Sequence, residues 1–498
     1  MSIASDLKKG ALVNFLGVVG KMAAPVFLVV VNRLYGTDVF GLFITATIAI
    51  EIVIAFLTSG FKDGAMIFVS RHSDDPSEQS DLYTSLANAF TWSIGLSGLI
   101  LAIGVFFGSN ILEMVYGDDF SEGLNTMFRF MIFAIPLLAS ERIILAATQG
   151  LKIMKYDAIS SGWLRPVCLL GCSVLFYYLI PGVTGLAVAY LATQLILCIF
   201  ALYFYSRELS WSRLFLAFRH YRINKELIDF AIPQNINMTL NRFITGLDVL
   251  MLPAFGFSAT VVGYYGAGSM IVREVRSVKF IFSNAFAPFI VRLHKEQKYK
   301  ELSEHFSRTA GWIATIAIPL LLIIAIYKLP VLNFVVEDYE GSATFMYFLL
   351  PIPYMYCSFS LAANIVAMTG HSRLTLLNSI LVSVTNFCLN LILIPKYGII
   401  GAALASAIAM LALNSLEVYE ARKVAHTKLR WDLMYRPHLA GLVASGVLFI
   451  GWTQIGWFTE NLLNTTALTA IVLATYTALL GGNYLNRLIE KIRSTRKK

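Results

Sequence analysis

Long apolar runs follow one another from one end of the chain to the other. Runs of roughly 20 residues with few or no charges recur, and each is long enough to cross a hydrocarbon core of about 30 Å as a helix. A membrane barrel would instead show strands of period two, and the runs carry no such alternation. Because lipid cannot satisfy bare peptide groups, the pattern predicts helices. The fourteen predicted spans are 11–33, 40–61, 83–107, 126–148, 158–180, 184–205, 227–251, 261–290, 307–330, 343–367, 375–394, 398–419, 437–458 and 464–485.

The composition agrees with a polytopic membrane protein. Of 498 residues, 57% are hydrophobic and only 14% are charged, whereas about a quarter of a soluble domain is charged. The first run holds Lys21 in its middle and lacks a small-residue cleavage site, so we expect a retained helix rather than a signal peptide. All five cysteines fall inside predicted helices as small buried residues, and we expect no metal site and no cofactor.

The basic residues follow the loops of a membrane protein rather than a nucleic-acid surface. The net charge is +9, and most of the 39 lysines and arginines lie in alternate loops and in the tail 487–498. The opposite side keeps only Arg33, Lys328 and Lys396, at helix edges. By the positive-inside rule both termini are predicted to be cytoplasmic, and no nucleic-acid partner is expected.

Four short anchors recur in the same order in two halves of the chain. Such repeats are common in transporters, and an even number of helices per copy makes the two copies parallel in the membrane. The anchor pairs are Tyr35-Gly36 with Phe255-Gly256, Phe68-Val69 with Ile290-Val291, Thr148-Gln149-Gly150 with Met368-Thr369-Gly370, and Ile180-Pro181 with Ile394-Pro395. The predicted organisation is an N-lobe of six helices (1–206), a cytoplasmic linker (207–226), a C-lobe of six helices (227–420), and two further helices with a basic tail (421–498).

Charged residues stand at membrane depth, where each arginine or lysine costs about 2.5 to 3.5 kcal/mol and is expected to face a partner or a wet cavity. Helix 227–251 is unusually polar, and helix 261–290 carries a short ladder of cations. Eight cations stand against four carboxylates, an excess that falls to one if Asp157, Asp229 and Glu417 at inner helix ends are counted. The twelve residues are Lys21, Arg129, Arg142, Arg165, Arg242, Arg273, Arg276 and Lys279, with Glu51, Glu141, Asp248 and Glu274.

Two interpretations of these charges remain open. Each could only lock helices together, as Glu141 with Arg142, Arg273 with Glu274, or Lys21 with Glu51 would do. Alternatively, they could line a shared positive chamber between the lobes that attracts an anion such as a diphosphate.

Several motifs resemble the polysaccharide flippases of the multidrug/oligosaccharidyl-lipid/polysaccharide exporter superfamily, over nearly the whole chain. The carriers are Tyr35-Gly-Thr-Asp-Val-Phe-Gly-Leu-Phe43, Ala147-Thr-Gln-Gly150, Asp248 with Val262-Gly-Tyr-Tyr265, and Ile394-Pro-Lys-Tyr-Gly-Ile-Ile-Gly-Ala-Ala403. The resemblance implies alternating access of two lobes that hand an undecaprenyl-diphosphate-linked oligosaccharide, an O-antigen, capsule or exopolysaccharide repeat unit, to the outer leaflet of a bacterial inner membrane. Similar flippases have cations in helices one, two, seven and eight. The second predicted helix of this chain departs from that pattern, because it has Glu51 and no central cation.

The resulting prediction is a transporter and not an enzyme. Because no Walker-type phosphate loop is present to supply ATP energy, the transport is expected to be secondary. Its expected partners are the lipid-linked oligosaccharide, membrane lipids and other polysaccharide-assembly membrane proteins. The predicted diphosphate receivers are Lys21, Arg242, Arg273, Arg276 and Lys279. The predicted sugar contacts are Gln234, Asn235 and Asn241. The predicted coupling or ion-pair residues are Glu51, Asp248 and Glu274.

Two alternatives remain beside this prediction. A cation-coupled multidrug exporter of the same superfamily would share the fold, although the intramembrane cations argue against it. A polysaccharide polymerase or ligase would also be polytopic, but such an enzyme would want a sizeable outer loop, and the predicted outer loops are short and poor in basic residues.

Overall fold

The structure is a computed structural model of the chain. It describes residues 25–73, 78–279, 282, 290, 292–336, 339, 341, 343–369, 371–454 and 462–481. Over these residues the chain forms helices joined by short connections and contains no strand. The prediction of an all-α protein is therefore confirmed. The chain divides into two compact units, the first comprising Met1–Ala267 with Phe334–Tyr339 and the second Gly268–Asn333 with Glu340–Lys498.

The first unit contains nine complete described helices and the first part of a tenth. They are α1 (Pro25–Tyr35), α2 (Thr37–His72), α3 (Gln79–Tyr116), α4 (Asp118–Met131), α5 (Ala134–Gly150), α6 (Lys155–Leu179), α7 (Val183–Glu208), α8 (Trp211–Arg219), α9 (Lys225–Ala254) and α10 (Ala259–Arg273). The second unit begins inside α10 and contains the remaining described helices. They are α11 (Tyr299–Val335), α12 (Phe345–Phe359), α13 (Leu361–Met368), α14 (Ser372–Val424), α15 (Trp431–Gln454) and α16 (Leu462–Leu480).

Seven of the described helices are long and apolar enough to cross a membrane, or nine if each of two bent pairs is one span. The bent pairs are α4 with α5 and α12 with α13. Two predicted spans, 375–394 and 398–419, form the single run α14, which breaks at Gly398 with φ 58°. The total of fourteen spans and the cytoplasmic termini stay predictions, and most of the predicted span 11–33 lies outside the described residues.

Helix α9 is 30 residues long but is not among those seven apolar helices. Its polar side chains lower its hydropathy, and Pro233 and Pro253 lie inside it. The side chain of Asn224 caps its first turn by accepting a hydrogen bond from the amide of Leu227 at 3.1 Å. A polar helix of this length needs neighbours that cover it, and α2 supplies one.

Small residues allow α2 to approach α9 and α10 closely. A Cβ atom at Gly60 would lie 2.0 Å from the carbonyl oxygen of Ala231 in α9. One at Gly41 would lie 1.9 Å from the carbonyl oxygen of Ala259 in α10. Close packing of small residues is the usual way in which membrane helices associate, since lipid tails leave little hydrophobic drive between them. The contact holds the polar side chains of α9 near the charged middle of α2.

The repeated anchors share backbone geometry. Gly36 and Gly256 both have positive φ, 91° and 83°, and each ends a helix. Gly182 and Gly398 follow the two Ile-Pro anchors with φ of 79° and 58°. These left-handed conformations favour glycine at all four positions. The paired anchors therefore have similar turns, while the repeat and the lobe boundaries drawn from it stay predictions.

Candidate functional site

A cavity of about 440 Å³ lies inside the first unit among α2, α5, α6 and α9. We call it the charged cavity, because eight of its twelve lining residues are ionisable. Its lining residues are Glu51, Ser59, Lys62, Asp63, Glu141, Arg142, Leu145, Asp157, Ser161, Arg165, Met238 and Arg242. The volume falls in the range of small-molecule sites, about 300 to 1,000 Å³.

Glu51 is shared by two arginines from different helices. One guanidinium nitrogen of Arg142 donates to both carboxylate oxygens of Glu51, at 2.8 and 2.9 Å. Arg242 approaches the same carboxylate only to 3.8 Å, and its side chain is 57% exposed. Arg142 is therefore held by charge-assisted hydrogen bonds, whereas Arg242 is drawn mainly by charge and stays open to the cavity.

A second ion pair lies beside the first, and its carboxylate is more deeply buried. Arg165 donates to Glu141 at 2.5 Å and to the side-chain oxygen of Gln194 at 3.1 Å. The other oxygen of Glu141 accepts a hydrogen bond from Ser160 at 2.8 Å. A π-helical turn, Ser160–Leu164, precedes Arg165. Glu141 is 1% exposed, so Arg165 and Ser160 supply the partners that its buried carboxylate requires.

The charged cavity extends along α2 toward the end of that helix at His72. Lys62 and Asp63 follow Glu51 by about three turns, or about 17 Å. The side-chain amide of Gln234 donates to Asp63 at 3.1 Å and joins α9 to this part of the wall. Sugar-binding sites use such amide and carboxylate groups, which offer both donors and acceptors to hydroxyls.

The lining of the charged cavity is electrically balanced. It holds four cations, Lys62, Arg142, Arg165 and Arg242, and four carboxylates, Glu51, Asp63, Glu141 and Asp157. The predicted excess of positive charge is therefore not a property of this cavity. The imbalance is local, because three arginines, Arg142, Arg165 and Arg242, pair with only two carboxylates, Glu51 and Glu141.

The predicted pairing of Glu141 with Arg142 is wrong. Arg142 bonds Glu51, and Glu141 bonds Arg165. Neighbouring residues on a helix point about 100° apart and do not face each other, so each finds its partner on another helix. Arg273 likewise donates to Ser269, at 3.3 Å, and not to Glu274, which is exposed.

Three other predicted residues of α9 have different surroundings. Asn235 is buried, and its side-chain oxygen accepts a hydrogen bond from the amide of Gly60 at 2.6 Å. Asn241 is exposed and donates within α9 to Asn237. Asp248 is 4% exposed and accepts hydrogen bonds from the hydroxyl of Tyr265 and the amide of Val249. Asn235 and Asp248 thus serve helix packing in this structure.

Two predicted cations of the second unit, Arg276 and Lys279, lie over one aromatic ring. Lys279 is 5% exposed, lies 4.5 Å from the ring centre of Tyr356, and donates to the carbonyl of Ser360 at 3.2 Å. Arg276 lies over the same ring at 5.3 Å. Cation–π contacts of this kind stabilise a cation in a poorly hydrated environment. Lys21 lies outside the described residues.

Sequence patterns missed the partners that complete the charged cavity. Arg142, Glu141 and Arg165 were recognised only as charges at membrane depth, and Asp157 only as a residue at an inner helix end. Neither Lys62 nor Asp63 is among the charges that the sequence places at membrane depth. Within the described part of the chain, no group of three or more His, Cys, Asp or Glu side chains could hold a metal ion.

A charged cavity inside a helical membrane unit is typical of membrane transporters. The sequence profile of a family described as polysaccharide biosynthesis protein matches residues 7–294, more than half of the chain. The chain therefore belongs to the polysaccharide biosynthesis protein family. It is 23% identical over 476 residues to the uncharacterized membrane protein YabM of Bacillus subtilis (strain 168), covering 90% of this chain and 86% of YabM.

Solved structures of the exporter superfamily share the fold. The lipid II flippase MurJ in an inward closed conformation aligns with a TM-score of 0.72 and 12% identity, covering 96% of this chain and 100% of that one. An inward-facing multidrug resistance MATE family transporter of the MOP superfamily aligns with a TM-score of 0.67 and 13% identity, covering 82% of this chain and 94% of the other. The resemblance drawn from the motifs is thereby confirmed for family and fold.

Proposed function

We propose that the protein flips an undecaprenyl-diphosphate-linked oligosaccharide from the inner to the outer leaflet of a bacterial cytoplasmic membrane by alternating access. The observation that carries the proposal is the unequal sharing of Glu51 by Arg142 and Arg242. A family of polysaccharide biosynthesis needs a carrier for lipid-linked sugars, and such carriers must receive a diphosphate within the membrane.

Arg242 is the first receiver in this proposal. Its side chain is 57% exposed and its carboxylate partner is 3.8 Å away, so a phosphate can reach it without breaking a close hydrogen bond. A diphosphate then competes with Glu51 for Arg142, whose guanidinium presents further donors. Exchange of one anion for another keeps both arginines paired, so neither is left as a bare buried cation.

The remaining groups of the charged cavity fit the first sugar. Asp63 with Gln234, Ser59 and Ser161 offers donors and acceptors for hydroxyl groups. A volume of about 440 Å³ suits a diphosphate and one sugar better than a whole repeat unit, so the distal sugars must extend beyond it. In the proposal Lys21, Arg273, Arg276 and Lys279 receive the headgroup at other stages, and Asn241 contacts the sugar.

The membrane potential can drive the step. An inside-negative potential favours outward movement of an anionic headgroup by about 2.3 kcal/mol per charge per 100 mV, if the charge crosses the whole field. Coupling to protons or sodium through Glu51, Asp248 or Glu274 is a further part of the proposal. Other polysaccharide-assembly membrane proteins would deliver and remove the substrate.

The test is a flipping assay in proteoliposomes that hold the purified full chain and a fluorescent undecaprenyl-diphosphate saccharide. Arg242→Gln should lower the initial rate about tenfold, the effect of one charge-assisted hydrogen bond. Arg71→Gln is the matched control. Arg71 lies 2.8 Å from Glu226, and neither residue lines the charged cavity. Equal rates for Arg242→Gln and the parent, at equal amounts of folded protein, would overturn the proposal.

A second function has one observation in its favour. Four carboxylates line the charged cavity, as many as the cations, and carboxylates are what a cation-coupled exporter of cationic drugs requires. The two functions predict opposite results for one variant. Glu51→Gln should abolish drug efflux in an exporter, whereas in a flippase it should leave Arg242 freer to receive phosphate and keep binding of the lipid-linked saccharide.

A further inference from the structure

The connection between α7 and α9 is basic and apolar at the same time. We call residues 209–223, which include α8, the linker platform. Its sequence Leu-Ser-Trp-Ser-Arg-Leu-Phe-Leu-Ala-Phe-Arg-His-Tyr-Arg-Ile contains three arginines and no Asp or Glu. The platform begins directly after Glu208, where the apolar helix α7 ends. It therefore starts at the level at which the chain leaves the membrane.

Hydrogen bonds fix the linker platform to α3. The hydroxyl of Tyr83 accepts from the amide of Ser210 at 2.9 Å. The side chain of Asn88, buried in α3, donates to the carbonyl of Arg222 at 2.7 Å and accepts from the hydroxyl of Tyr221 at 3.0 Å. Both ends of the platform are thus held, and Leu214 packs into the core between them. The platform is an ordered surface and not a loose loop.

The outer side of the platform exposes large apolar residues between its arginines. Phe215 is 67% exposed, Leu216 is 57% exposed and Ile223 is 60% exposed. Arg213 and Arg219 stand within the same helix and are exposed as well. Apolar and basic residues interleaved in this way are typical of helices that lie in the headgroup layer, with apolar side chains below and arginines at phosphate level.

A small cavity with two arginines adjoins the platform. It measures about 360 Å³, and its lining includes Arg207, Arg213, Ser73 and Gln79. One carboxylate, Glu208, also lines it, and this carboxylate accepts a hydrogen bond from the hydroxyl of Tyr156. Two cations against one carboxylate leave the cavity positive, with hydroxyl and amide groups beside them. This chemistry fits a phosphate diester.

We propose that the linker platform lies in the headgroup layer and that its cavity binds the phosphate of an anionic phospholipid. Arg207 and Arg213 hold the phosphate, and Phe215 and Leu216 enter the hydrocarbon boundary beside it. Anionic lipids attract basic residues near the surface by about 1 kcal/mol each, whereas zwitterionic lipids do so less. The site is separate from the charged cavity and does not depend on the cargo that the protein carries.

The test is native mass spectrometry of the purified full chain titrated with phosphatidylglycerol or phosphatidylcholine. The parent should bind phosphatidylglycerol more tightly. The double variant Arg207→Gln with Arg213→Gln should bind it about fivefold more weakly per arginine removed, with a smaller loss for phosphatidylcholine. The matched control is Arg308→Gln with Arg430→Gln, two exposed arginines that already bond Glu304 and Asp432. That control should bind phosphatidylglycerol as the parent does.

Equal phosphatidylglycerol binding by the parent and the Arg207/Arg213 variant would overturn the proposal. The same variant with unchanged lipid binding but lost export in cells would also overturn it, in favour of an acidic protein partner. The titration measures lipid binding without a flippase assay, so failure of this proposal can be told apart from failure of the proposed function.

Discussion

One guanidinium nitrogen of Arg142 in α5 lies within 2.9 Å of both carboxylate oxygens of Glu51 in α2. Neither side chain is fully enclosed, with 20% of Arg142 and 25% of Glu51 exposed. The pair joins two helices at membrane depth, and its partial exposure leaves it open to an incoming anion. It is both a packing contact and a wall of the charged cavity.

A double-mutant cycle on this pair should show strong coupling. Glu51→Gln and Arg142→Gln each remove one charge of the pair and weaken the hydrogen bonds that join the two side chains, so each should lower the melting temperature in detergent. The double variant should recover part of the loss, with a coupling energy of about 1 to 3 kcal/mol. Additive losses would mean that the hydrogen bonds contribute nothing beyond the separate side chains.

Arg165→Gln should destabilise the protein far more than Arg71→Gln does. Arg165 is the partner of a carboxylate, Glu141, that is 1% exposed, and loss of that partner should cost about 3 to 5 kcal/mol. Arg71 and Glu226 form a similar pair, but their side chains are 51% and 65% exposed, so its loss should cost at most about 1 kcal/mol. Denaturation in detergent compares the two. Equal losses of stability in the two variants would contradict the burial of Glu141.

Gly60→Ala should separate α2 from α9. The added Cβ would lie 2.0 Å from the carbonyl oxygen of Ala231, and backbone cannot move aside without shifting the helix, so we expect a loss of about 1 to 3 kcal/mol. Gly98→Ala in α3 is the control, since no atom lies within 4 Å of its added Cβ. It should be neutral or slightly stabilising. Thermal unfolding that ranks the two variants the other way would disprove the close approach.

Tyr265→Phe should weaken the junction of α9 and α10. The hydroxyl of Tyr265 donates to Asp248, which is 4% exposed, and loss of a donor to a buried carboxylate costs about 1 to 3 kcal/mol. Tyr178→Phe is the control, because that side chain is 76% exposed. The apparent melting temperature should fall for the first variant only. No difference between them would show that the hydroxyl is dispensable.

Much of the site was visible in the sequence as a list of charges without partners. Glu51, Arg142, Arg165 and Arg242 stand out because lipid makes a charge at membrane depth expensive, wherever the helices happen to pack. The pattern could not say which charge meets which. Adjacency along the chain suggested Glu141 with Arg142, yet adjacent residues on a helix face different neighbours.

The polar residues of α9 also show what the sequence reveals and what it leaves open. Its polar residues are costly to expose to lipid, but the sequence could not separate a cavity wall from a packing contact. Gln234 reaches Asp63 in the charged cavity, whereas Asn235, the next residue, bonds the Gly60 backbone. A rotation of about 100° between neighbours sends one to the cavity and the other into the helix contact.

The sequence alone determined that the chain is helical, that it belongs in a membrane, and which residues are too polar to face lipid, because these follow from the cost of exposing charges and bare peptide groups to hydrocarbon. Only the tertiary structure decided that Glu51 serves two arginines, that Glu141 belongs to Arg165, and that the linker lies anchored on α3. Those outcomes depend on which helix faces meet, and contacts between residues far apart in the chain leave no periodic trace in it.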